Sequence, residues 1–129
     1  MDHPNATLYR DLMAKMTAGD VDGAWELVDP AVRWHEAGNP DVIVGRDAVR
    51  DRLTAMSAIH GDLDIHDVLA NDEHVLAMLR VSLTGPAGKS VEYPVVEVAH
   101  VSDGKVTERW SFMDACPEDV TAFFAAFAT

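Results

Sequence analysis

The sequence predicts an α+β domain, and three observations predict it. Apolar residues near the start, Leu8, Leu12, Met13 and Met16, recur at helical spacing. The second half changes period, with LDIHDVLA, HVLAMLRVSL, VEYPVVEVAHV and KVTERWSFMD all favouring strands. Between the last two runs stands Asp103-Gly104, a two-residue hairpin signal. Helices come first and an antiparallel meander follows.

The elements are expected in this order. Asn5 or Thr7 caps a first helix that carries Tyr9 beside its apolar stripe, and Gly19 stops it. Asp20 caps a short second helix, VDGAWELV, which Gly23 weakens. Asp29-Pro30 breaks the chain, and Ala31–Glu36 reads as a strand. After Gly45, RDAVRDRLTAMSAI places Val49, Leu53 and Met56 on one face of a third helix. Asn71-Asp72-Glu73 and Gly85-Pro86-Ala87-Gly88 join the strands that follow. Pro117 opens a last helix, where Val120, Phe123, Phe124 and Phe127 form one apolar stripe. A curved sheet wrapped on helices leaves room for a small-molecule cavity.

The chain of 129 residues suits one domain, 1–129, and its 48% hydrophobic content is that of ordinary globular material. No run reaches the ~20 apolar residues of a membrane span. The start lacks the pattern of a secretory signal, and Cys116 is the lone cysteine, so a cytoplasmic setting is expected. The formal net charge of −12 repels phosphate backbones and anionic bilayers, so neither nucleic acid nor membrane is an expected partner. The histidines show no metal-ligand spacing, and there is no glycine-rich phosphate loop. No metal or cofactor is expected.

The hairpin allows a register argument. With Asp103-Gly104 as the turn, Ser102 faces Lys105, Val101 faces Val106, Ala99 faces Glu108, Glu97 faces Trp110, Val95 faces Phe112 and Tyr93 faces Asp114. These residues share one face. A one-residue bulge would swap the assignment on one strand. A carboxylate between Trp110 and Phe112 is costly when ionised and unpaired. Kept neutral, Glu97 donates to a carbonyl or enolate oxygen; otherwise it pairs with a base such as Arg80 or meets water. Asp114, at the strand end, is a further acid candidate or a cap for the last helix.

The segments AGDVDGAWELVDPAVRWHEAG, VGRDAVRDRL, HDVLANDEHVLAMLRV and VVEVAHVSDGKVTERWSFMD give the chain its resemblance. It resembles the SnoaL-like branch of the nuclear-transport-factor-2-like superfamily, which includes ketosteroid isomerase, polyketide cyclases and limonene-epoxide hydrolase. The resemblance implies a cone-shaped, curved antiparallel sheet on N-terminal helices, a cystatin-like α+β barrel. It also implies a homodimer through the outer sheet face, and a small apolar molecule as ligand.

Aligned on this family, His35 falls where the isomerase has its catalytic base, and Glu97 near its protonated acid. A regular strand points Val32 and Trp34 inward and His35 outward; a bulge at the strand end turns His35 in. The resulting expectation is catalysis by His35 as proton carrier, with Glu97 and Asp114. Tyr9, Met13, Trp34, Leu53, Met56, Trp110 and Phe112 would wall the pocket. The activity implied is that of an isomerase or cyclase acting by acid–base chemistry on an apolar carbonyl or polyketide-like compound. The rivals are a non-catalytic ligand-binding or dimeric module, and an epoxide hydrolase relative.

Overall fold

The computed structural model describes residues 2–37, 39–55, 60–85 and 88–113. The elements run α1 (Pro4–Thr17), α2 (Val21–Trp25), β1 (Val28–His35), β2 (Ile43–Val44), α3 (Arg46–Ala55), β3 (His60–Ala70), β4 (His74–Thr84), β5 (Ser90–Ser102) and β6 (Lys105–Phe112). The expected last helix and its phenylalanine stripe lie outside the described residues, as do Met56, Asp114 and Cys116.

Helix α1 starts earlier than its sequence suggested. Pro4 supplies a preset φ at the first turn, and the His3 imidazole Nδ1 accepts the Asn5 amide at 3.1 Å, the role expected of Asn5 or Thr7. Ala6, Tyr9, Leu12 and Met13 form its buried face. Asp20 caps α2 by accepting the Gly23 amide at 2.9 Å. A Cβ on Gly23 would stand 2.2 Å from the Asp20 carboxylate, so the glycine that weakens this helix in isolation is what lets the cap close.

The strands form one six-stranded curved sheet in the order β2-β1-β6-β5-β4-β3. Strands β3 to β6 are the expected antiparallel meander. Strand β1 adds a parallel partner to β6, so the sheet is mixed. Lys105 donates to the Glu26 carbonyl at 2.7 Å and the Val106 amide to Leu27 at 2.9 Å, which fastens the start of β6 to the entry of β1. The short β2 was not expected; it pairs Ile43 and Val44 with Trp34 and Arg33.

The core lies between α1 and the inner sheet face, around Val28, Val32, Val75, Ala77, Leu79, Val95, Ala99 and Val106. Among the described residues no helix is long and apolar enough to cross a membrane.

Candidate active site

The local geometry of the site follows from one irregularity in the last hairpin. Asp103 and Gly104 both take positive φ, 52° and 73°, as a two-residue turn of primed type requires. Ser102 pairs with Lys105 and Val101 with Val106, as the turn dictates. The register then shifts by one residue, and His100 pairs with Glu108. The extra residue is Thr107, whose hydroxyl donates to the His100 carbonyl at 3.4 Å. Beyond it Ala99 faces Arg109, Val98 faces Trp110, Glu97 faces Ser111 and Val96 faces Phe112.

This bulge corrects the expected pocket wall. Side chains alternate along a strand, so one inserted residue moves every later one to the opposite face. Trp110 and Phe112 lie on the outer face with Val96 and Val98, and Phe112 is 53% exposed. Arg109 and Ser111, which a regular hairpin would send outside, stand on the inner face beside Glu97.

Glu97 is the buried charged residue of the described core. The Tyr9 hydroxyl donates to its Oε1 at 2.5 Å, and Arg109 Nη2 donates to its Oε2 at 2.5 Å. With one oxygen accepting from Tyr9 and the other from a guanidinium, Glu97 takes the second of the two expected arrangements, an acid paired with a base. Arg80 is not its partner; that arginine pairs with Glu92 on the outer face. Room for the cluster comes from small neighbours in register, Ala77 and Ser111 beside Glu97 and Ala99 beside Arg109.

Trp34 supports the arginine from below. The guanidinium carbon sits 4.4 Å from the centre of its ring, a cation–π contact worth about 0.5–2 kcal/mol. Arg109 Nη1 donates to the His35 carbonyl at 3.3 Å. Burial pushes the guanidinium toward the neutral form, but Glu97 and then Tyr9 more than reverse that, so it stays charged. Burial, and then the charge of Glu97, push the Tyr9 hydroxyl well above its ordinary range; Arg109 opposes this only in part. Tyr9 therefore stays protonated and donating.

His35 points away from this cluster. The irregularity in β1 falls before Arg33, so the strand end is regular, with Trp34 inward and His35 outward. On the outer face His35 Nε2 meets Glu108 at 2.7 Å, and its ring stacks on Trp110 with centroids 5.1 Å apart. The Trp110 ring meets His100 edge-on, and His100 meets His74 likewise. An aromatic ladder thus crosses the outer sheet. His35 as a cavity base is corrected by the same alternation rule that made it conditional.

Of the other expected wall residues, Tyr9, Met13 and Trp34 are buried on the inner side. Leu53 packs against the core from α3. Met13 also borders a groove of about 380 Å³ between α1 and β3, lined with Ala14, Thr17, Ala18, Leu63 and Ile65. Arg109 is the site residue missed by sequence reasoning. Its strand, ERWSF, gives no local sign of which face the arginine takes, because the bulge lies upstream at Thr107.

Comparison with known proteins agrees with this architecture. The model of the SnoaL-like domain matches residues 9–109, and the chain belongs to that family. No curated protein matches the chain by sequence. Among solved structures it is similar to an LEH-like epoxide hydrolase of M. tuberculosis, at TM-score 0.81 and 17% identity, over 97% of this chain and 95% of that one. It is also similar to a Xanthomonas campestris protein assigned as a polyketide cyclase, at TM-score 0.78 and 22% identity, over 95% and 96%. A third is the M. tuberculosis protein Rv0760c in complex with estradiol-17β-hemisuccinate, at TM-score 0.77 and 19% identity, over 87% and 95%. At these identities the likeness shows the fold.

Proposed function

We propose that this chain is an acid–base enzyme for a small apolar compound that carries a carbonyl or phenolic oxygen beside an acidic proton, of the ketone or polyketide kind. The observation that carries this reading is Glu97, buried in an apolar wall and held from two sides by Tyr9 and Arg109. A buried ion pair is a poor source of stability, since desolvation offsets most of its attraction, and apolar replacements often match it. A charged cluster kept inside a small core is therefore better explained by chemistry than by folding.

Glu97 is the proton carrier in this reading. Its two hydrogen bonds leave lone pairs for a third partner, and Tyr9 and Arg109 fix the direction in which they point. It takes the acidic proton of the substrate and returns it at another atom. Epoxide hydrolysis assisted by paired carboxylates is less well supported, because Glu97 is the one buried acid among the described residues. Among the similar solved structures, the assigned polyketide cyclase fits this substrate class.

Two measurements test this. A panel of hydrophobic ketones, phenols and epoxides is screened by thermal stabilisation; a ligand at ~100 times its dissociation constant adds about 2.7 kcal/mol. Deuterium exchange at the acidic carbon of any ketone that binds is then followed by NMR. Glu97→Gln is expected to keep binding within a few-fold and to abolish enzyme-dependent exchange. Equal enzyme-dependent exchange in both proteins would remove Glu97 as the proton carrier, and none in either would leave a binding module without catalysis.

The outer face favours a second, compatible proposal, a homodimer. Leu69, Leu76, Val96 and Phe112 are exposed there around the aromatic ladder. Sedimentation showing only a 14.1 kDa species would reject it.

A further inference from the structure

The Arg109 guanidinium has three corners, and the structure accounts for two. Nη2 donates to Glu97 and Nη1 to the His35 carbonyl. The third corner, the Nε–H, is buried and no described residue accepts from it. A buried donor without a partner forfeits its hydration with nothing in return, all the more when the group is charged, so it calls for an explanation. Two residues further along β6, on the same face, lies Ser111, directly across from Glu97. Ser111 is half-buried, and no described residue hydrogen-bonds its side chain.

We propose that Arg109 Nε and Ser111 Oγ form a two-donor subsite that holds the substrate oxygen, and that the site selects ligands whose oxygen is an acceptor, above all one that becomes an enolate or phenolate. The inference rests on the acid–base reading of Glu97 and adds to it a specificity element. Charge arithmetic supports the class. Glu97 and Arg109 are one negative and one positive group, and Tyr9 stays neutral, so the resting cluster is balanced. When Glu97 takes a proton from a ketone or phenol, the C–H or O–H bond breaks and its electron pair stays with the substrate, ending on the oxygen. The negative charge has then only moved from Glu97 to the ligand, and Arg109 faces it in both states. A guanidinium donates and never accepts, so a ligand offering only a donor hydrogen leaves its Nε–H unpaired. Discrimination of this kind arises from stranding a buried polar group.

The probe is 4-nitrophenol, which is coloured only as the phenolate. Its ionisation is followed by absorbance against pH, free and in the presence of saturating protein. Bound to the wild type, it is expected to ionise at least about one pH unit below the free dye, a tenfold preference for the phenolate. Arg109→Lys keeps a positive charge but removes the Nε–H, and Ser111→Ala removes one neutral donor. Each is expected to return part of that shift, the arginine variant more. Ser111→Ala leaves the buried ion pair intact, so it decides the matter if Arg109→Lys does not fold. A dye that binds and shifts equally in the wild type and Ser111→Ala overturns the subsite while leaving the Glu97 reading standing. A dye that does not bind the wild type, together with no deuterium exchange in any ketone, overturns both.

Discussion

At the Glu97–Arg109 end of the β5–β6 hairpin the two faces depart from the usual arrangement of core and surface, while the rest of its inner face, Val95, Ala99, Val101 and Val106, is ordinary apolar core. The inner face holds a carboxylate, a guanidinium and a tyrosine hydroxyl in contact. The outer face, a few ångströms away through the same backbone, presents Val96 and Phe112 to solvent and runs an aromatic ladder from His35 to His74. Folding alone would favour the opposite, with rings inside and charges out. Burial alone explains neither the ion pair inside nor the rings outside, and the proposed substrate and the proposed dimer give each a role: a polar ligand atom on one side and an apolar surface on the other.

Breaking the inner face should have the largest effect. Arg109→Ala strands Glu97 as an unpaired buried charge and is expected to cost about 3–5 kcal/mol in denaturant unfolding. The combined replacement Tyr9→Phe, Glu97→Leu, Arg109→Met is expected to recover most of that loss, or to exceed the wild type. A triple variant as unstable as Arg109→Ala would show that the cluster is structural after all.

Tyr9→Phe comes next, at about 1.5–3 kcal/mol for a hydrogen bond to a charged group. It also has a pH signature. Burial and Glu97 raise the hydroxyl above its ordinary value of 10.0, so the folded protein holds this proton when the unfolded chain has lost it. That contribution is whole below pH 10 and drains away as pH rises further, by up to about 1.4 kcal/mol per unit. Unfolding free energy above pH 10 should therefore fall more steeply for the wild type than for Tyr9→Phe; parallel slopes would mean that Tyr9 is not buried against Glu97.

The smallest effects belong to the outer face. Phe112→Ser and His35→Ala are each expected to change monomer stability by less than about 1 kcal/mol, since one removes an exposed ring and the other a partly exposed hydrogen bond and stack. If two copies meet through this face, the same variants lower the sedimentation coefficient at micromolar concentration. Variants that unfold the monomer would erase the contrast between the faces.

Most of the fold is legible in the sequence, because it rests on local signals. The period change after the third helix, the Asp103-Gly104 turn and the α1 stripe each report on neighbouring residues. The α+β class and the order of the described elements follow, apart from β2; β1 and β3 each start three residues earlier than read, and α2 ends three residues sooner. The SnoaL-like family is equally legible. The site is legible in part. Glu97 and Tyr9 can be picked out because β5 alternates regularly and α1 is regular. Trp110, Phe112, Arg109 and His35 are not, because their faces depend on where two irregularities fall, at Thr107 and before Arg33. Bulges are fixed by pairing with distant strands and leave little mark in the chain itself.

The Thr107 bulge behaves like a frameshift in a coding sequence. Everything downstream keeps its spelling and changes its meaning: ERWSF, read in one frame, turns rings to the inner face and a cation to the outside, and in the other frame the reverse. A strand can thus exchange all the side chains it turns to one face by gaining or losing one residue near a turn, with no substitution among them. For a scaffold shared by many chemistries, that is a shorter path between activities than replacing the site side chain by side chain.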